Sequence, residues 1–256
     1  MSASRIEIRG VPVDCVDWPG ALRVVEQQLT TSGSAGAVIA VNPEKMVRAQ
    51  QDANLLACLR EARLLIPDGV GVVLAARLLG LGRMQRVAGC ELMPEICAAA
   101  ERRQAGIFLF GASESVNARV AAVLQARFPR LCIRGRHDGY VSDENMTGIV
   151  EAINASGATI LFLALGSPRQ ELWMQQYLPQ LQHVRLCQGV GGTFDVLAGT
   201  VRRAPAAFIH LHLEWLYRLL SQPNRILRQT ALPRFALQVL TAALVPSSAA
   251  PRGPAK

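Results

Sequence analysis

The sequence has few aromatic residues, 5%, and few charges, 18%, set against 50% hydrophobic residues. With Ala, Val, Leu and Gly dominant, this composition suits helices layered on a sheet better than an all-β sandwich. No C-x-x-C pair occurs. The six cysteines stand at 15, 58, 90, 97, 132 and 187, mostly inside apolar runs, and the four histidines (137, 183, 210 and 212) make no ligand pattern with them. That spacing argues against a zinc site. It reads as reduced, buried small hydrophobes of a cytosolic protein. No apolar run reaches the roughly 18–20 residues of a transmembrane helix. The opening MSASRIEIRG lacks the apolar segment of a signal peptide. The chain is therefore read as soluble or peripheral. No G-x-G-x-x-G follows a strand-like run, so a nucleotide-dependent oxidoreductase lacks its fingerprint here. No convincing Asp-x-Asp ends a strand, and there is no internal repeat.

What is present is arginine. Net charge is +8 over 256 residues, which favours anionic partners: nucleic acid, phosphorylated small molecules or an anionic leaflet. The length allows one large domain, or one domain with an appendage. Ile6–Val13 reads as a strand leading to a helix near Pro19–Leu29. Further strands are expected at Ala37–Val41, Leu64–Ile66, Ile107–Phe110, Leu131–Arg134, Thr159–Leu165 and Val184–Cys187, with helices between, one of them beginning near Pro94. Apolar strands alternating with helices predict an α/β, Rossmann-like fold: a mostly parallel sheet with helices on both faces. Ligands of such sheets bind beyond the carboxyl ends of the strands.

Composition changes near residue 200. Arg202, Arg203, Arg218, Arg225, Arg228 and Arg234 meet a single acid, Glu214. An amphipathic helix is expected from about Pro205 to Ser221, and an apolar stretch follows at Phe235–Val245. The organisation read from this is a core over 1–200, a basic amphipathic helical appendage over 201–245, and a disordered tail over 246–256. The arginine block is open to three readings: a solvated helix face, a nucleic-acid surface, or a membrane-facing surface. The second lacks aromatic interleaving and any DNA-binding module. For the third, basic residues near an anionic leaflet each contribute about 1 kcal/mol. Trp215 and Phe208 also suit a core.

Several strand-end loops carry chemistry, each with a plainer alternative. Gly111-Ala-Ser-Glu-Ser115 can offer backbone N–H groups to a phosphate, or simply cap a helix. Pro67-Asp68-Gly69 is a turn by its residue types, and an Asp at a strand end can also act as a general base. Gly166-Ser-Pro-Arg-Gln-Glu171 crowds polar groups into a helix start, where Arg and Gln can bind a phosphate or a sugar hydroxyl. Its plainer reading is an exposed capped helix with Glu171 set against the dipole.

Taken in order, Val41-Asn42-Pro43-Glu44, Pro67-Asp68-Gly69-Val-Gly71, Arg86-Val-Ala-Gly89, Gly139-Tyr140, Gly166–Trp173, Gly189–Asp195, Gly199, Arg203-Ala-Pro205 and Glu214–Leu219 with Pro223 and Arg225 form one set. This set resembles the WecG/TagA/CpsF glycosyltransferase family (glycosyltransferase family 26) from about residue 5 to 235. The resemblance implies an inverting, metal-independent transfer of a hexose-type sugar from a UDP-sugar to a polyprenyl-diphosphate-linked acceptor, in bacterial cell-surface polysaccharide biosynthesis. The sugars known in the family include N-acetylmannosamine, N-acetylmannosaminuronic acid and glucose. It implies a peripheral enzyme on the inner face of the cytoplasmic membrane that meets an anionic membrane surface. No cofactor, metal or nucleic acid is expected, and a homo-oligomer stays open. The rival reading is a non-catalytic, nucleotide-binding peripheral membrane protein.

Carried over by position, Asp68 matches the proposed base, Asn42 a strand-end site residue and Gln170 an active-site glutamine. Arg86, Gly111, Tyr140, Gly166, Glu171, Gly191, Asp195, Arg203, Arg218 and Arg225 are the expected substrate-binding residues, with the last two near the diphosphates. Ala40 and Ala88 stand where the family often has threonine, and Glu91 where it often has Asp. Each alanine removes a hydroxyl that could bind donor or acceptor.

Overall fold

A computed structural model of the chain describes residues 4–31, 33–202, 204–205, 208, 215–217 and 230–244. Six strands form one parallel sheet: β3 (Gly36–Val41), β4 (Leu64–Pro67), β5 (Gly106–Gly111), β6 (Cys132–His137), β7 (Ile160–Ala164) and β8 (Leu186–Gly189). Their order is β4-β3-β8-β7-β5-β6. All neighbours run parallel, as the alternation of apolar strands and helices requires.

Alternate residues of each strand enter two separate cores. Ile39, Val41, Leu65, Phe110, Leu163 and Cys187 pack on one face, with α2 (Pro43–Ala49), α3 (Ala53–Glu61), α4 (Val70–Leu78), α7 (Met146–Ser156) and α8 (Arg169–Tyr177). Val38, Ile66, Leu109, Phe162 and Leu186 pack on the other, with α1 (Trp18–Thr30), α5 (Gly89–Arg103), α6 (Glu114–Arg127) and α9 (Thr193–Ala198). Because both faces are covered, β5 and β7 are buried along their whole length. The outer strand β6, with Arg134 and Arg136, is only partly covered.

Local signals set most helix starts. Asp17, Asn42, Asp52 and Ser113 each accept a backbone N–H at the start of α1, α2, α3 and α6. Pro94 does not begin its helix: α5 starts at Gly89 and carries the proline inside.

The N-terminus also differs from the single strand expected over Ile6–Val13. Two strands, β1 (Ser4–Ile8) and β2 (Val11–Cys15), form an antiparallel hairpin. Arg9 (φ 54°) and Gly10 (φ 80°) make the two-residue turn with positive φ at both positions. That turn usually carries Asn-Gly, so Arg-Gly gave little warning. The hairpin sits against β4. Asp14, nearly fully buried, binds Arg5 at 2.8 Å and accepts the Leu65 N–H at 2.8 Å, while Arg5 also donates to the carbonyls of Arg60 and Ala62.

Beyond residue 200, α10 (Ala231–Leu244) lies on α2 and α4 and buries Phe235 and Val239 in the first core. Of the helix expected over about 205–221, only Pro205, Phe208 and Trp215–Tyr217 are among the described residues. The ring centroids of Phe208 and Tyr217 stand 5.7 Å apart. The tail over 246–256 lies outside the described residues.

All six cysteines are free thiols. Cys58, Cys97 and Cys187 are buried, whereas Cys15, Cys90 and Cys132 are partly exposed. Burial pushes the Cys97 thiol up to about 12 and raises Cys187 as well. Burial, followed by the nearby carboxylates of Glu171 and Glu61, pushes Cys58 up to about 11. Alkylation at pH 8 should therefore spare these three in the folded protein and label all six after unfolding, as read by mass spectrometry.

Candidate active site

The sheet order decides which loops meet. Because β8 lies between β3 and β7, the loops leaving the carboxyl ends of β4, β3, β8 and β7 are neighbours. Together they surround a cavity of about 410 Å³. The helices leaving these strands change faces here, α2 and α8 lying on one face of the sheet and α9 on the other, and a doubly wound fold usually holds its ligand at such a change.

Asn42 follows β3 and contributes to the wall. Its side-chain oxygen caps α2 by accepting the Lys45 N–H at 2.8 Å. Asp68 follows β4 and is partly exposed in the same cavity. Its N–H donates to the Val41 carbonyl at 2.8 Å, so the last bond of the β3–β4 ladder fixes its backbone beside Asn42. Gly69, at φ 108°, then turns the chain into α4. Arg86 enters from the loop before α5 and lies 3.6 Å from Glu91.

The loop after β7 supplies Gly166, Ser167 and Gln170. Gln170 is almost fully buried, and its amide is held at both ends. Its Nε2 donates to Glu171 Oε1 at 3.0 Å, and its Oε1 accepts the Gly191 N–H at 3.2 Å. A Cβ at residue 189 would come within 2.8 Å of that Nε2, so the glycine of β8 leaves room for the amide. Glu171 itself does not line the cavity. Its side chain is fully buried and binds Lys45 Nζ at 2.6 Å. Burial pushes the Glu171 carboxyl up, but the Lys45 ammonium and the hydrogen bonds it receives outweigh burial and hold it below the ordinary range.

The other expected residues are placed differently. Gly111 ends β5 and Tyr140 follows β6, towards the far end of the sheet, and neither lines the cavity. Tyr140 is 82% exposed. Gly111 has a packing role: at φ 127°, a Cβ there would stand 2.5 Å from the backbone carbonyl of Ala164 on β7. Gly111→Ala is expected to cost about 2–4 kcal/mol of stability, from strain plus a backbone clash. A urea midpoint equal to that of the wild type would contradict this. Gly191 lines the cavity, whereas Asp195 lies within α9, where its carbonyl accepts the N–H groups of Thr200 and Val201. Arg203, Arg218 and Arg225 lie outside the described residues. Ala40 lines the cavity, and Ala88 is the buried N-cap of α5 with no side-chain cap.

Lys45 and Thr193, which stand in the strand-end loops 42–45 and 189–195 but were not singled out, and Arg48, outside any such loop, also line the cavity. Lys45 is 7% exposed. Its only sequence signal was its place in the first turn after the Asn42-Pro43 cap. From beyond residue 200, Trp215 and Leu232 reach the wall as well. Among the described residues no three His, Cys, Asp or Glu side chains gather as a metal site.

An arginine-bearing cavity at the carboxyl ends of a doubly covered parallel sheet lies where α/β enzymes hold their ligands. Residues 6–249 match the model of the "Glycosyl transferase WecG/TagA/CpsF family", and the chain belongs to that family of glycosyltransferases. It is similar to the "N-acetylglucosaminyldiphosphoundecaprenol N-acetyl-beta-D-mannosaminyltransferase" of Bacillus spizizenii (strain ATCC 23059 / NRRL B-14472 / W23). The two are 37% identical over 206 residues, 79% of this chain and 78% of that protein. The protein of the same name from Bacillus subtilis (strain 168) is also 37% identical over 206 residues, 80% of this chain and 79% of its own length.

Proposed function

We propose that the protein moves a hexose-type sugar from a UDP-sugar to a polyprenyl-diphosphate-linked sugar, with inversion and without a metal. The observation that carries this reading is the meeting of Asn42, Asp68, Arg86 and Gln170 in one cavity at the strand ends. The names of the two Bacillus relatives, both describing a sugar transferred to a lipid-diphosphate N-acetylglucosamine, support the acceptor. N-acetylmannosamine leads the candidate donors for the same reason, ahead of N-acetylmannosaminuronic acid and glucose.

In this scheme the acceptor hydroxyl oxygen attacks the anomeric carbon in a single displacement. Asp68 takes the hydroxyl proton as the new C–O bond forms. The bond to the donor phosphate breaks, and UDP departs with the electron pair. Arg48 and Arg86 in the cavity wall offset the charge that develops on the diphosphate. Gln170 binds a sugar hydroxyl through its amide.

An acceptor with a polyprenyl tail also requires a place at the membrane. No helix among the described residues is long and apolar enough to cross one. Two neighbouring helices carry exposed leucines instead: Leu74 and Leu78 on α4, and Leu237, Leu240 and Leu244 on α10. Val70 and Leu232 of the same helices reach the cavity wall. This supports a peripheral enzyme whose cavity opens beside the leaflet, on the cytoplasmic side where UDP-sugars are made. The test is a panel of UDP-sugars with a lipid-diphosphate N-acetylglucosamine, in the presence and absence of EDTA. Product mass and anomeric linkage are read. One donor should release UDP in an acceptor-dependent way, equally with EDTA. No product from any donor would sink the reading, and a retained anomeric configuration would sink the single displacement.

A further inference from the structure

The Lys45–Glu171 pair is a buried ion pair beside the cavity, and its carboxylate does not line it. It joins α2 to α8 across 126 residues of sequence. A tie between helices would explain its presence, but it leaves unexplained why the pair also holds Gln170. A glutamine amide has two ends of nearly equal shape and opposite hydrogen-bonding character. An ionised carboxylate only accepts, so Glu171 Oε1 admits only the NH₂ end. The backbone N–H of Gly191 only donates, so it admits only the C=O end. Turning the amide over would set donor against donor and acceptor against acceptor. After these two bonds, one amide hydrogen and one carbonyl lone pair of Gln170 remain to be used. Lys45 keeps Glu171 in the accepting form by placing an ammonium 2.6 Å from the same oxygen.

We infer that Lys45 and Glu171 are a positioning pair, acting through Gln170 to fix which end of its amide each substrate group meets. This rests on the proposed sugar transfer and on Gln170 touching the sugar. Glu171 is then a substrate-site residue by its effect, though it does not line the site.

The test is a double-mutant cycle on the full-length enzyme. Lys45→Met/Glu171→Leu removes both charges together, which a buried pair often tolerates with little loss of stability. The expected result is a melting temperature within a few degrees of the wild type and a kcat/KM at least tenfold lower. Adding Gln170→Ala to this background should cost less than threefold, although the same change costs the wild type tenfold or more. A simple helix tie predicts otherwise: near wild-type kcat/KM in the double variant, and an undiminished Gln170→Ala effect in both backgrounds. Either result overturns the inference. Glu171→Asp, which keeps the charge and shortens the reach, carries the same cycle if the double variant does not fold; losses that multiply independently with Gln170→Ala overturn it there too. If Gln170→Ala alone leaves transfer unchanged, the site reading beneath the inference fails as well. That separates it from a failure of the clamp, in which Gln170→Ala is harmful but the pair is dispensable.

Discussion

Asp68→Ala should lower sugar transfer by about 10²–10⁴-fold, the usual contribution of a general base. UDP should still bind, because the change leaves the cavity's arginines and backbone in place. The position favours a clean outcome. Asp68 is tied through its own N–H to Val41, and α4 begins after the turn at Gly69. The strand-end bond to Val41 is a backbone bond, so it is kept when the carboxylate is lost. Acceptor-dependent UDP release and calorimetric titration with UDP would report the two halves separately. Transfer near the wild-type rate would remove Asp68 from the role of base. Loss of UDP binding in step with transfer would make it a binding residue instead.

The second large effect concerns the chain beyond residue 200. Removing 201–256 is expected to leave a folded core that transfers sugar to a lipid-linked acceptor at least about 10²-fold more slowly, since closure over the substrate assembles and dries such sites. The packing of α10 adds a stability cost. Phe235 and Val239 are buried on α2 and α4, and Gln238 hydrogen-bonds Gln50 at 2.9 Å. Burying two such side chains contributes several kcal/mol, so the melting temperature should fall by on the order of 10 °C. Because α2 carries Asn42 and Lys45, part of the lost activity should come from a loosened cavity wall. A chain ending at Leu244 keeps α10 and should keep the stability of the full protein, which assigns the losses to 201–244 rather than to the tail. Full activity of the 1–200 core on the lipid-linked acceptor would refute a role for the appendage.

The fold was legible where local chemistry decides it. The Asn42-Pro43 cap, the Ser113 cap and the uniformly apolar β7 follow from side chains acting on their immediate neighbours, and each appears where the residue types put it. Pro94 misled because it stands past the first turn of a helix that begins at Gly89, where it forgoes one helix hydrogen bond without ending the helix. What no local pattern contains is the strand order. The insertion of β8 between β3 and β7 brings the Gly189–Gly191 loop to Gln170 and sends the loops after β5 and β6 elsewhere. Gly111 and Tyr140, as attractive in sequence as Gly166, thus fall outside the cavity wall. Lys45 shows the same limit: its meaning depends on a glutamate 126 residues away.

The hairpin at the N-terminus bears on how the molecule meets copies of itself. An outer strand offers unspent backbone groups to any passing strand. On β4, the Leu65 N–H is already given to Asp14, Pro67 has no N–H to give, and the Pro67 carbonyl accepts from Val87. At the opposite margin, β6 presents Arg134 and Arg136, charges that discourage a second strand from settling there. A strand-to-strand seam between copies at the β4 margin would first require the hairpin to be peeled away, and one at the β6 margin would have to accommodate two arginines.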